Sequence, residues 1–190
     1  MIFETGSASA KPLSISGTVL AIDETKSFLF YLKKKFGSYY AVRLSKDTAD
    51  SEPVEISVSL SPLLKRFTAH GGNAAVLALE PEKKQGSLSY VYFDEGVVKT
   101  RNDIIDVRTA GGELLFLENF DGGTVLDFGG NIIPCGISAV SISHVIGGQI
   151  AVVTDGEISE IIDIQRGKNI YSFSRGVDYA LPSEYNLVFE

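Results

Sequence analysis

Val125-Leu126-Asp127-Phe128-Gly129-Gly130-Asn131 is the segment with the most chemistry to offer. A carboxylate at a strand end, followed by glycines in the turn, lets backbone N–H groups approach a phosphate while the Asp reaches a metal-bound water. Asp127, Gly129 and Gly130 are therefore the candidate nucleotide-binding residues; the alternative is a plain hairpin turn. Other reactive groups are sparse. Cys135 sits among Ile132, Ile133 and Ile137, surroundings that keep a thiol protonated and inert. Neither histidine, His70 or His144, has a second histidine or a cysteine at ligand spacing. No Gly-x-Ser-x-Gly elbow marks a serine nucleophile, although a triad gathered from distant residues stays open. Asp94, Glu95, Asp103 and Asp106 could meet around one turn as oxygen ligands, but they lack calcium-loop spacing. The expectation is a chain with no catalytic residue, no metal and no cofactor.

Two charged patches read instead as partner-binding candidates. Lys33, Lys34 and Lys35 stand beside a Phe36-Gly37-Ser38 turn, where lysines also guard an edge strand against unwanted pairing. Asp94 and Glu95 occupy another turn and could attract a cationic partner. The whole chain carries a net charge of −7, with a pI near 4.9, which argues against nucleic acid because phosphate binding needs clustered cations.

The positions of these residues depend on elements that read mainly as strands. Ser14 to Ile22, Phe28 to Leu32, Tyr39 to Leu44 and Glu55 to Leu60 have strand chemistry, and Ala74 to Leu79 is an unbroken apolar run suited to burial on both faces. Ser61 and Pro62 before Leu63-Leu64-Lys65-Arg66-Phe67 form a helix-start signature, stopped by Gly71 and Gly72. Gly111 to Phe120 leans to strand. A strand, an Asp/Gly turn, a return strand and then Ile-Ile-Asp occurs at Ser89 to Asp106 and again at Ile150 to Asp163, either by chance or as two related lobes. The resulting class is α+β and β-dominated, with all-β as the alternative. Residues 1–12 read as a flexible lead-in and 13–190 as one globular domain, with two sub-lobes dividing near 110–123 as an option.

With 44% hydrophobic and 22% charged residues, the chain is globular in composition. A single cysteine excludes an intrachain disulfide and suggests a reducing, cytoplasmic setting. No apolar run approaches the roughly 20 residues of a membrane span, and the first twelve residues do not resemble a signal peptide. Asn186 to Glu190 ends in an apolar run, which fits a natural terminal strand or a piece of a longer protein.

Asp127-Phe128-Gly129 resembles the phosphate hairpin of the actin, Hsp70 and sugar-kinase superfamily, though the hydroxyl residue expected next is replaced by Gly130-Asn131-Ile132. Ala74 to Leu79, then Ser89 to Val98 with Asp103 after it, resembles the cytoplasmic domains of bitopic inner-membrane proteins of type IV pilus and type II secretion machines. That resemblance implies a degenerate actin-like (ribonuclease H-like) two-lobed fold. It also implies a scaffold role, with an assembly ATPase and inner-membrane platform proteins as partners. The function expected is a non-enzymatic scaffold or adaptor. The alternatives are an actin-like nucleotide-binding protein and a β-rich structural protein of an appendage or phage. Helix content near one third would favour an actin-like fold, and near-zero helix the structural protein.

Overall fold

The chain reverses at short, mostly glycine-bearing turns, and each described element between them is an antiparallel strand. The structure, a computed structural model, describes residues 15–47, 52–60, 63–79 and 86–174, with the strand segments 180–182 and 187–189. The first sheet is β1 (Thr18–Glu24), β2 (Phe28–Lys35), β3 (Ser38–Ser45) and β4 (Val54–Val58). A seven-stranded meander follows: β5 (Leu63–His70), β6 (Asn73–Leu79), β7 (Gly86–Tyr92), β8 (Val97–Ala110), β9 (Glu113–Phe120), β10 (Gly123–Phe128) and β11 (Asn131–Pro134). Then come β12 (Ser141–Ile146), β13 (Ile150–Thr154), β14 (Ser159–Asp163) and β15 (Lys168–Phe173), and the pair β16 (Ala180–Pro182) and β17 (Leu187–Phe189).

The long strand β8 serves two units. Its first part pairs with β7 and its second with β9; Ile104 is paired on both sides, and Asp103 before it takes φ 66°. Divided there, β1 to β15 are four successive four-stranded meanders, with the pair β16–β17 after them. Their first strands, β1, β5, the second part of β8 and β12, are neighbours in space. Four-stranded units stacked with their first strands around a hub are the construction of β-propeller blades.

Side-chain alternation supplies the three layers between blades. Phe30, Leu32 and Ala41 of the first blade meet Ala69, Ala74, Val76 and Val91 of the second. Ala75, Leu77 and Leu88 point the other way, onto Ile104, Val107 and Leu114 of the third. Ile105, Leu115, Leu117 and Leu126 face Ile142, Ala151, Val153 and Ile162 of the fourth. β6 is therefore covered on both faces, as its unbroken apolar run predicts. Alanines near the hub (Ala69, Ala74, Ala75, Ala110) let blades converge there, while larger side chains fill the wider periphery.

Among the described residues there is no helix, which overturns both the α+β class and the actin-like reading and leaves the all-β alternative. Ser61 and Pro62 lie outside the described residues, but Leu63 to Phe67 are strand β5, not helix. The register shifts between Leu64 and Arg66, so Leu64, Phe67 and Ala69 all pack on the first blade. A bulge thus converts period two into a spacing of three then two, which imitates a helical face. The twin Ile-Ile-Asp hairpins are not equivalent. The first is the outer hairpin of the second blade running into the hub strand β8; the second is the middle hairpin of the fourth blade, ending β14. The genuine repeat is the blade, whose first strands begin at residues 18, 63, 104 and 141. The segment 110–123 lies inside the continuous seven-stranded sheet.

Gly86 shows how closely strands approach inside a blade: a Cβ there would fall 2.1 Å from the Ala78 carbonyl oxygen. Gly86→Ala should lower unfolding free energy by about 1–3 kcal/mol, the usual cost of forced overpacking, read from urea denaturation. An unchanged midpoint would contradict the packing described.

Candidate functional site

Every hub strand carries a β-bulge at a corresponding place. The residues skipped in the register are Leu20 in β1, Lys65 in β5, Ile105 in β8 and Ser143 in β12. A bulged residue is left out of the ladder, so its backbone groups need other partners. Blade-to-blade side chains supply them. Lys65 Nζ donates to the Ile105 carbonyl at 2.7 Å and to Val140 O at 2.9 Å. Arg108 donates from Nε to Ile142 O at 3.2 Å and from Nη2 to Ser143 O at 3.3 Å. A cation of one blade thus serves the bulge carbonyl of the next.

Asp106 anchors the middle of the hub with no exposure to solvent. Its carboxylate accepts from Arg66 Nε (3.2 Å) and Nη2 (3.1 Å), from Val107 N (2.9 Å) and from Ile142 N (2.9 Å). Donors from three blades converge on one buried acid, which is how a buried charge becomes tolerable. Asp23 does similar work between the first two blades, accepting from Ala69 N at 2.7 Å and Glu24 N at 2.8 Å. Thr109 Oγ1 donates to Ala69 O at 3.1 Å and lies 2.9 Å from Thr68 Oγ1.

Above these ties the strand ends enclose a cleft of about 720 Å³, lined by Asp23, Thr68, His70, Arg108, Ser143 and His144 among others. All four blades contribute to it. Glu24 at the rim is paired with Lys46 at 2.6 Å. Arg108, by contrast, forms no ion pair among the described residues; its contacts are the two carbonyls. Burial, and then the nearby Arg66 charge, pull the Arg108 pKa below its ordinary value. Burial, and then Arg108, lower that of His144. Lys65 is lowered chiefly by burial. His70 Nδ1 is buried with no hydrogen-bond partner among the described residues.

The residues singled out from sequence lie elsewhere. Asp127 faces a second cleft of about 470 Å³ between the second and third blades, with Gly129, Gly130, Tyr90, Tyr92 and Phe116 in its lining. Its carboxylate is 3.2 Å from Arg101 Nη2 and accepts the Gly130 N–H at 3.1 Å. Arg101 also binds Glu118 at 2.5 Å and covers the Phe116 ring at 4.9 Å. Burial, the largest cause, raises the Glu118 pKa. Gly129 (φ 60°) and Gly130 (φ 86°) form the two-residue turn between paired Phe128 and Asn131, the geometry of a primed hairpin.

Lys33 is buried, only 1% exposed, and is ion-paired with Glu55; Lys34 is exposed, and Lys35 lies over the Phe36 ring. The triplet therefore does not form one cationic face. Asp94 accepts from Arg43 Nη2 at 2.6 Å, which lowers its pKa, while Arg43 also donates to Gly72 O and stacks on Phe28 and Phe93. Asp94 thus latches the first two blades together; Glu95 beside it is exposed. Asp106 is in the hub, and no group of three His, Cys, Asp or Glu among the described residues could hold a metal. Sequence reasoning missed Arg108, Lys65, Arg66 and Asp23. The available signal was charged residues inside the first strands of three blades, Asp23, Lys65 with Arg66, and Asp106 with Arg108, about 40 residues apart.

No family model matches the chain, and no curated protein matches it. Solved structures similar to it include the apo form of AztD from Citrobacter koseri, at 12% identity and TM-score 0.47, covering 88% of this chain and 62% of that one. A second crystal structure of Citrobacter koseri AztD has 13% identity and TM-score 0.44, covering 88% and 61%. The chain spans about three fifths of the length of those structures. The pilus and secretion resemblance falls with the actin-like fold, and the partners it implied lose their basis.

Asp106→Ala should cost about 3–5 kcal/mol by stranding the Arg66 charge, measured by chemical denaturation; a loss below about 1 kcal/mol would remove Asp106 as the anchor. Cys135, whose thiol pKa is pushed up to about 12 mainly by burial, should resist iodoacetamide at neutral pH and react only after unfolding. Fast labelling of the native chain would contradict that burial. For the Asp127 turn, millimolar Mg-ATP should leave the melting temperature of wild type and Asp127→Ala equally unshifted, because the carboxylate is held by Arg101. A shift lost in the variant would restore the nucleotide reading.

Proposed function

We propose that this chain is a non-enzymatic binding scaffold that holds a segment of a partner protein in the hub cleft. One observation carries the reading. Lys65, Arg66, Arg108, Asp106 and Asp23 are committed to hydrogen bonds within the hub, so the cleft offers a polar, concave surface built from all four blades. The hub carboxylates are not placed for general acid–base work, which needs a group at liberty to exchange a proton with substrate. Asp106 has no solvent exposure, and Asp23 already receives two N–H groups. A preorganised surface lowers the entropy lost on binding, which is what a scaffold needs.

A second reading, a β-rich structural protein, is supported by the helix-free architecture and by Ile170 and Tyr171, exposed on the edge strand β15. Unguarded edge strands invite pairing between copies.

Photo-crosslinking amino acids placed at His70, His144 and Ile170 separate the two in the cells that make the protein. The scaffold reading expects a discrete heterologous adduct from positions 70 and 144 but not from 170. Adducts from position 170 alone, of twice the chain's mass, would replace it with the structural reading.

A further inference from the structure

We infer that the hub cleft recognises a carboxylate on its partner segment, with Arg108 as the receiving group and His144 as a proton-linked second donor. This inference rests on the reading of the cleft as a partner site and adds the chemistry it selects. The hub interior holds Lys65, Arg66 and Arg108 against the single fully buried acid Asp106, an excess of positive charge inside a chain of net charge −7. Arg66 is matched to Asp106 and Lys65 to two carbonyls. Arg108 alone of the three lines the cleft, and its guanidinium has five N–H groups of which the Ile142 and Ser143 carbonyls engage two. A carboxylate there would gain charge-assisted hydrogen bonds to a cation already oriented by the fourth blade's bulge.

The two acids that could compete are otherwise engaged. Asp23 accepts the Ala69 and Glu24 N–H groups, and Glu24 pairs with Lys46. Both still set a negative rim, so selection depends on reach: a carboxylate must pass Asp23 and Glu24 to meet Arg108. This favours an acidic side chain on an extended segment over a broad acidic surface.

His144 reports on occupancy. From β8 it faces Arg108, across the cleft His70 on β5, and Asp23 and Glu24 on β1; β13 brings no charged residue against it. Burial, and then the Arg108 charge, disfavour the imidazolium. An anion on Arg108 cancels that repulsion, so binding takes up a proton and tightens as pH falls toward the histidine range.

The test is calorimetric titration of the full chain with a blocked peptide carrying two glutamates and with its twin carrying two glutamines, at pH 6 and pH 8. The glutamate peptide should bind about tenfold tighter at pH 6, with the preference shrinking at pH 8. In its presence the His144 ring signals should titrate at higher pH by NMR. Arg108→Gln should erase the preference. Because that variant loosens the β12 bulge, Arg108→Lys serves as the folded control and should retain part of it. Equal binding of the twins with an unmoved His144 titration overturns the carboxylate inference and leaves the cleft reading standing. Binding of neither, with no adduct at positions 70 and 144, overturns both.

Discussion

A strand that bulges toward a shared axis leaves a backbone carbonyl outside its ladder, and a carbonyl buried without a donor is costly. In this chain each hub strand bulges at the same level. Lys65 reaches the Ile105 carbonyl and Arg108 the Ser143 carbonyl, each across one blade boundary. Bringing those cations inward creates the next requirement, an internal counter-charge, and Asp106 meets it with Arg66 and the Ile142 amide. The polar centre is thus a chain of obligations that begins in backbone geometry. The apolar layers can slide only as far as these bonds allow, so the hub sets the angular spacing that the side-chain layers then fill.

The same arrangement shapes what the surface can do. Proteins whose chemistry depends on proton transfer keep a titratable group poised and accessible. Here the buried groups are locked by several partners, and the accessible ones are backbone-tied or already paired. One guanidinium and two imidazoles line the cleft.

The peripheral charges work in parallel. Arg43 joins the first two blades through Asp94, Gly72 and two aromatic rings, and Arg101 joins β8, β9 and β10 through Glu118, Asp127 and Phe116. Asp127, which the sequence offers as part of a phosphate hairpin, is the carboxylate that Arg101 holds.

Strand content was legible because alternation, β-branched runs and glycine turns are local properties. The sequence alone indicated the turns at Gly111 and at Gly129-Gly130, the double burial of β6 and the inertness expected of Cys135; the break it marks at Gly122-Gly123 is in the structure the turn Asp121-Gly122, with Gly123 already in β10. It misdirected at Leu63 to Phe67, where a bulge broke the alternation, and it hid the blade repeat, whose copies share geometry and not letters. Which charged residues meet was decided only in three dimensions. Asp106 and Ile142 are 36 positions apart and Lys65 and Val140 are 75 apart, and no local rule joins them. A strand's turns and faces follow from neighbours along the chain, but a hub is made from strands of separate blades, so its cleft and the carbonyl-held Arg108 exist only once the blades have stacked.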